Sequence, residues 1–269
     1  MPTYPVDSLD NRDPAAMRRA VRLVEAVTMR WHRHRVTGIE RIPEGPVLFV
    51  GNHSGGLATP DTFLFFHALY RARGLDAVPH GLAHEFVLKL PIFNEILAPL
   101  GAVRACHENA LRLFAAGRSA FVYPGGDVDS MRPYARRNEV VFGNRRGFIR
   151  LALEAGVPIV PVAAAGAHGV FVVLSDLRGV AHRLGADRLF RLKVWPLTLS
   201  VPFGLSLGPV FPFVPWPSPV CVEAGHPIYF DRTGSEAIAD DAYVAACAAR
   251  VQGELQVMLT RLADERRAL

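Results

Sequence analysis

The sequence predicts an α/β fold: a single domain with a largely parallel central sheet flanked by helices. Three observations carry this. PVLFVGN (46–52), SAFVY (119–123) and VPIVPV (157–162) are short apolar runs of the kind that make buried strands. Segments of helical period stand between them, and glycines recur where those helices must stop. Strands alternating with helices argue for a sheet covered on its faces.

Taken in order, residues 14–35 (PAAMRRAVRLVEAVTMRWHRHR) place Met17, Val21, Val24, Thr28 and Trp31 at helical spacing, with Arg18, Arg19, Arg22, Arg30, Arg33 and Arg35 around them. This predicts a basic amphipathic helix over 1–36, a possible membrane anchor preceding a domain of residues 37–269. After the strand PVLFVGN, TPDTFLFFHALYRARG (59–74) reads as a helix with Thr59 as N-cap and Pro60 in its first turn. AVPHGLA (77–83) follows as a short strand. A helix from Cys106 closes at Gly117, then SAFVY; a second over 143–155 closes at Gly156, then VPIVPV. VCVEAGHPIYF (220–230) is strand-like. Residues 235–265 form one long closing helix, with Val244, Val251, Leu255, Met258 and Leu262 inward.

Half of the 269 residues are hydrophobic, enough to bury a sizeable core, and no linker or repeat divides the chain. A formal charge of +5 favours an anionic partner. Nucleic acid is excluded as that partner, because the arginines are not interleaved with stacking aromatics. The three scattered cysteines suggest neither a disulfide framework nor a zinc site, and a reducing setting fits. The opening MPTYPVDSLDNRDP is polar and acidic, unlike an export signal. No charged residue occurs from Val194 to Val222, yet seven prolines there argue against a spanning helix. That stretch reads as core strands and turns, or as a surface dipping between lipid headgroups or lining an acyl-chain groove.

The chemistry concentrates in GNHSGGLATPD (51–61). His53 follows a strand directly, at the edge where open α/β sheets display ligands. A histidine there can act as general base, and Asp61, brought back by a glycine-containing loop, can fix its tautomer. A second glycine loop, YPGGDVD (123–129), can offer backbone amides to an oxyanion. Arg104, Arg145 and Arg146 are candidates for phosphate.

The ordered set NH-S-GG…PD, GAVRA, YPGGD and GNRRGFIRLALEAGVPIVPV resembles the glycerolipid acyltransferase superfamily, the PlsC-like proteins, and within it the diacylglycerol-acyltransferase-like branch. The resemblance spans roughly residues 40–230. It implies transfer of a fatty acyl group from acyl-CoA or acyl-carrier protein to a glycerolipid hydroxyl, with no other cofactor and no metal, at the cytoplasmic face of a membrane as a peripheral protein. It implies His53 as general base paired to Asp61, and substrate binding by Asn52, Arg104, Tyr123, Pro124, Gly125, Gly126 and Arg145. Two departures stand out. Seven residues separate His53 from Asp61 where the family commonly has four, and Gly125 stands where the branch acylating glycerol phosphates has glutamate, which counts against a phosphorylated acceptor and leaves neutral glycerolipid and lysophospholipid both open. Two rival functions remain in view: a serine hydrolase built on Ser54 with His168 or His226, and a non-catalytic lipid-binding protein. Oligomeric state has no signature in the sequence.

Overall fold

A computed structural model describes residues 3–56, 58–177, 194–208 and 213–268. Its centre is a seven-stranded sheet in the order β1-β10-β6-β2-β5-β3-β4. The strands are β1 (His34–Thr37), β2 (Leu48–Gly51), β3 (His80–Ala83), β4 (Val103–Arg104), β5 (Ala120–Val122), β6 (Ile159–Ala165) and β10 (Val220–Ala224). Five of them, from β6 to β4, run parallel; β10 is antiparallel to β6, and β1 is parallel to β10. β2 therefore lies mid-sheet, with all four of its residues buried.

The pleat sends alternate side chains to opposite faces, which makes this a three-layer molecule. Leu48 and Val50 join one core with Leu113, Ile149, Val251 and Leu255, under helices α6 (His107–Ala115), α8 (Gly147–Ala155) and α10 (Asp241–Glu265). Phe49 joins the other with Met17, Val24, Leu64, Phe65 and Leu69, from α1 (Pro14–Leu23), the π-helical turn Val24–Thr28 and α3 (Pro60–Arg73). Each such large side chain contributes about 1.5–3 kcal/mol on burial. The remaining helices are α2 (Met29–Trp31), α4 (Glu85–Lys89), α5 (Pro91–Leu97), α7 (Gly126–Ser130) and α9 (Gly234–Ala239). A separate antiparallel sheet is built from β7 (Val172–Ser175), β8 (Leu197–Ser200) and β9 (Gly204–Leu207), in that order.

Three sequence expectations are corrected. The N-terminal helix stops at Trp31 and the chain enters β1 at His34; the π turn adds a residue to the helical period, so Met17, Val21 and Val24 face the core while Trp31 faces outward. The cap of this helix is Asp13, whose carboxylate accepts from Ala15 N–H at 2.7 Å. Thr59 does occupy the expected N-cap position of α3, but it is left-handed (φ 34°) and makes no side-chain cap bond. The closing helix is two, because Asp240 caps a fresh start by accepting from Tyr243 N–H at 3.0 Å. Among the described residues no helix is long and apolar enough to cross a membrane. The 194–222 stretch supplies β8, β9 and the start of β10; its residues 209–212, with Pro209 and Pro212, lie outside the described residues.

Candidate active site

β2 and β5 are parallel neighbours with Val50 opposite Val122. The chain leaving β2 therefore emerges beside the chain leaving β5, and His53 meets Tyr123. Their rings stack with centroids 4.4 Å apart at 25°. Gly51 makes this possible: a Cβ there would stand 2.8 Å from the Tyr123 ring. The far end of the tyrosine is tied down by a 2.5 Å hydrogen bond between its hydroxyl and that of Thr62 on α3.

The backbone of His53 is held as firmly as its ring. Its N–H donates to Asp129 Oδ2 at 2.6 Å, and Asp129 Oδ1 accepts from Val141 N–H and from the Arg132 guanidinium. Asp129 and Arg132 are both buried, three residues apart on and after α7. Arg132 reaches on to Arg137 O at 3.1 Å and to His168 Nε2 at 2.7 Å. Burial raises Asp129 to about 6, below neutral pH, and lowers Arg132. The i,i+3 spacing of acid and arginine in DVDSMRP was the available signal for this clamp; the sequence reading gave Arg132 no role.

His53 is half-buried, and its Nδ1 is enclosed without a partner. Desolvation, then the charge of Arg132, lower the ring to about 4, so it is neutral at pH 7. Asp61, in the first turn of α3, is buried; its Oδ2 accepts from Ser54 Oγ at 3.2 Å, and its Oδ1 has no partner. Burial lifts its carboxyl to about 7. His53 and Asp61 thus border the same loop, each with one enclosed, unpartnered atom, and no hydrogen bond joins them. Between them Gly55 and Gly56 adopt positive φ (74° and 61°), which lets the loop turn back tightly.

The other expected site residues divide into frame and periphery. Asn52 is fully buried, and its amide bridges β2 to β6 by donating to Ala164 O (2.9 Å) and accepting from Ala164 N–H (2.8 Å). Arg145 donates to Pro124 O (3.1 Å), Gly125 O (2.7 Å) and Asp127 (2.9 Å), bracing the YPGG loop from behind. A Cβ on Gly125 would stand 2.3 Å from Asp129 Cβ and 2.4 Å from Val141 O. Any side chain there would have to push the clamp or the loop aside. Gly126 takes φ 51° and is closed in by the Arg145 guanidinium. Arg104 sits on β4, three strand spacings or roughly 14 Å from β2, and forms a two-point pair with Asp7 at 2.7 and 2.9 Å. The Ser54 hydroxyl donates a hydrogen bond to Asp61, His168 is bound to Arg132, and His226 is exposed, so no hydrolase triad is assembled.

Beside the loop, a mostly apolar cleft of about 720 Å³ runs between α1, its π turn and the start of α3; Leu23, Val27, Trp31, Ala58, Pro60 and Phe63 help to line it. The volume is within the range of about 300–1,000 Å³ typical of small-molecule sites.

Residues 33–165 match the family model described as Acyltransferase. This match covers just under half of the chain and is consistent with the glycerolipid acyltransferase superfamily. An uncharacterised protein of Mycobacterium tuberculosis is 31% identical over 238 residues, 88% of this chain and 63% of that one. A human protein, "DGAT1/2-independent enzyme synthesizing storage lipids", is 32% identical over 165 residues, 60% of this chain and 45% of its own. The chain thus spans less than two thirds of the length of these relatives. Among solved structures, the 1-acyl-sn-glycerophosphate acyltransferase PlsC of Thermotoga maritima superimposes with a TM-score of 0.52 at 18% identity, over 89% of this chain and 79% of that one, a likeness of fold.

Proposed function

We propose that the protein transfers a fatty acyl group from a thioester, acyl-CoA or acyl-carrier protein, to a hydroxyl of a neutral glycerolipid, and that it works on the cytoplasmic face of a membrane. The single observation carrying this is His53: a neutral imidazole at the carboxyl end of the central strand, its amide fixed on Asp129 and its ring on Tyr123. With Nδ1 enclosed, Nε2 is the nitrogen that takes the proton as the acceptor oxygen attacks the thioester carbonyl. The tetrahedral adduct then expels the thiolate, which recovers that proton. A ring titrating near 4 is a weak base. Pairing of its Nδ1–H with the open Oδ1 of Asp61 in the ternary complex would strengthen it, and both atoms are free for that bond. General-base assistance is typically worth about 10²–10⁴ in rate.

Preference for a neutral acceptor rests on the arginines and on Gly125. Arg104 and Arg145 already hold carboxylates, and a glutamate at position 125 would have to displace Asp129 or Val141. The apolar cleft reaching Ala58 and Pro60 suits an acyl chain. The test is thiol release from acyl-CoA and acyl-carrier protein with monoacylglycerol, diacylglycerol, lysophosphatidate and lysophospholipid acceptors, products being identified by mass. Turnover on a neutral acceptor, lost in His53→Ala and kept in Ser54→Ala, is expected. Lipid binding without turnover on any acceptor would leave a non-catalytic lipid-binding protein.

A further inference from the structure

The β8–β9 hairpin of the three-stranded sheet is inside out. Its register sets Leu197 opposite Leu207 and Leu199 opposite Leu205 in β8 and β9, while Thr198 opposes Ser206 and Val173. Residues directly opposite share a face. The face turned to the body therefore carries Thr198 (0% exposed) and Ser200 (2%) from β8 beside Val173 (1%) from β7, and the hairpin's face turned away carries Leu199 (40%), Leu205 (65%) and Leu207 (60%). An antiparallel sheet with one wet face shows the reverse pattern, apolar in and polar out. The β8–β9 turn adds exposed Phe203.

This apolar face continues onto the N-terminal helix. Val201, at the end of β8, pairs with Val214, exposed Trp216 follows, and Trp31 donates its indole N–H to Pro215 O at 2.8 Å. From Trp31 the exposed side chains of Val27 and Leu23 run back at four-residue intervals to the mouth of the cleft. Exposed Arg18, Arg22 and Arg30 flank that stripe on the same helical segment.

We propose that this surface, from the β8–β9 hairpin through Trp216 and Trp31 to Leu23, docks on an anionic lipid bilayer. The proposal rests on the acyltransferase reading and deepens it. The chemistry selects this occupant: leucines and a phenylalanine to enter the acyl region, two tryptophans for the interface, and arginines for headgroup phosphates. A chain with net charge +5 favours the same sign of lipid. Docked in this way, the cleft opens onto the membrane, where both acceptor and product reside.

The experiment is co-sedimentation of the full chain with vesicles of phosphatidylcholine alone, and of phosphatidylcholine and phosphatidylglycerol in equal parts. Binding to the anionic vesicles that weakens with added salt is expected. It should fall at least about tenfold in Leu205→Asp/Leu207→Asp and in Arg18→Glu/Arg22→Glu, since each pair removes one of the two attractions. Quenching of native tryptophan fluorescence by brominated lipid reads the same contact in the unmodified protein, should the hairpin variant fail to fold. Vesicle binding unaltered in both variants, with no quenching, overturns the proposal. So does a wild-type dimer that Leu205→Asp/Leu207→Asp makes monomeric without loss of vesicle binding, because the face would then seat a second copy. Turnover of a short-chain, water-soluble acceptor without vesicles separates the two readings: its absence in a protein that still binds vesicles counts against the enzyme, not against the docking surface.

Discussion

Asp129 holds the backbone N–H of His53 at 2.6 Å while its other oxygen is bound to the buried guanidinium of Arg132. The position of the proposed base is therefore set by an ion pair belonging to the second glycine loop. Replacing Asp129 with leucine strands a buried positive charge, and breaking such pairs from one side costs about 3–5 kcal/mol. A melting temperature lower by roughly 10 °C is expected. The double variant Asp129→Leu/Arg132→Met removes both charges and should regain most of that stability. It should not regain kcat, since the His53 amide still lacks its acceptor, whereas KM for the thioester should change little. Recovery of kcat together with stability would reduce the clamp to scaffolding.

Gly125 is where the loop meets this clamp. Because an added Cβ falls 2.3 Å from Asp129 Cβ and 2.4 Å from Val141 O, both well under contact distance, even Gly125→Ala forces the loop to move. Overpacking of this sort costs typically about 1–3 kcal/mol. Gly125→Glu, which would restore the residue of the glycerol-phosphate branch, is expected to lower activity on every acceptor without creating turnover of lysophosphatidate. A mass-resolved acceptor panel reads both effects at once.

How far the sequence revealed this site depends on whether a residue's role is local or lies across the fold. His53 was legible because a strand and the break after it are local features, and the β2–His53 placement follows from LFVGN alone. The parallel sheet was equally legible, since helix-ending glycines such as Gly117 and Gly156 are printed in the chain and both take positive φ. The partners of the site residues were not. Asn52 bonds to Ala164, 112 positions away, His53 to Asp129, 76 away, and Arg104 to Asp7, 97 away. None of these pairings has a periodicity to read. The hairpin was hidden for another reason: LTLS and GLSL alternate correctly for strands, but alternation does not say which face turns inward.

The Arg104–Asp7 pair bears directly on the acceptor. Both side chains are partly exposed, so salt screens the contact and it contributes little to the fold. If the acceptor is neutral, Arg104→Ala should acylate mono- or diacylglycerol at a rate within about twofold of the wild type, a change no larger than a surface contact of this kind carries. Asp7→Ala frees the guanidinium, and it too should leave the neutral reaction unchanged. A large rise in KM confined to a phosphorylated acceptor in Arg104→Ala would show instead that the arginine exchanges Asp7 for substrate phosphate.

Asp61 is the residue at which function and stability should oppose each other. Its carboxyl titrates near 7 in the folded protein, pushed up by burial from an ordinary 3.8. Below about pH 4 it is protonated in both states and contributes no pH dependence. Between there and pH 7 the unfolded chain releases the proton while the folded protein retains it, so stability falls as pH rises; above 7 the full cost of a buried carboxylate is present. Asp61→Asn carries no such proton. Relative to the wild type it should melt higher at pH 8, by up to about 4 kcal/mol of stability, with the advantage shrinking toward pH 4. His53 has the opposite sign: its folded value near 4 lies under the unfolded 6.5, so its contribution is present above 6.5 and is lost as pH falls toward 4. Activity should move against the Asp61 stability trend. Without a carboxylate to pair with the imidazolium, Asp61→Asn is expected to lose about 10²–10⁴ in kcat while remaining the more stable protein at alkaline pH. Parallel melting curves and rates at pH 5, 7 and 8 decide it. A variant that is both fully active and no more stable would remove Asp61 from the reaction and from the list of costly buried charges together.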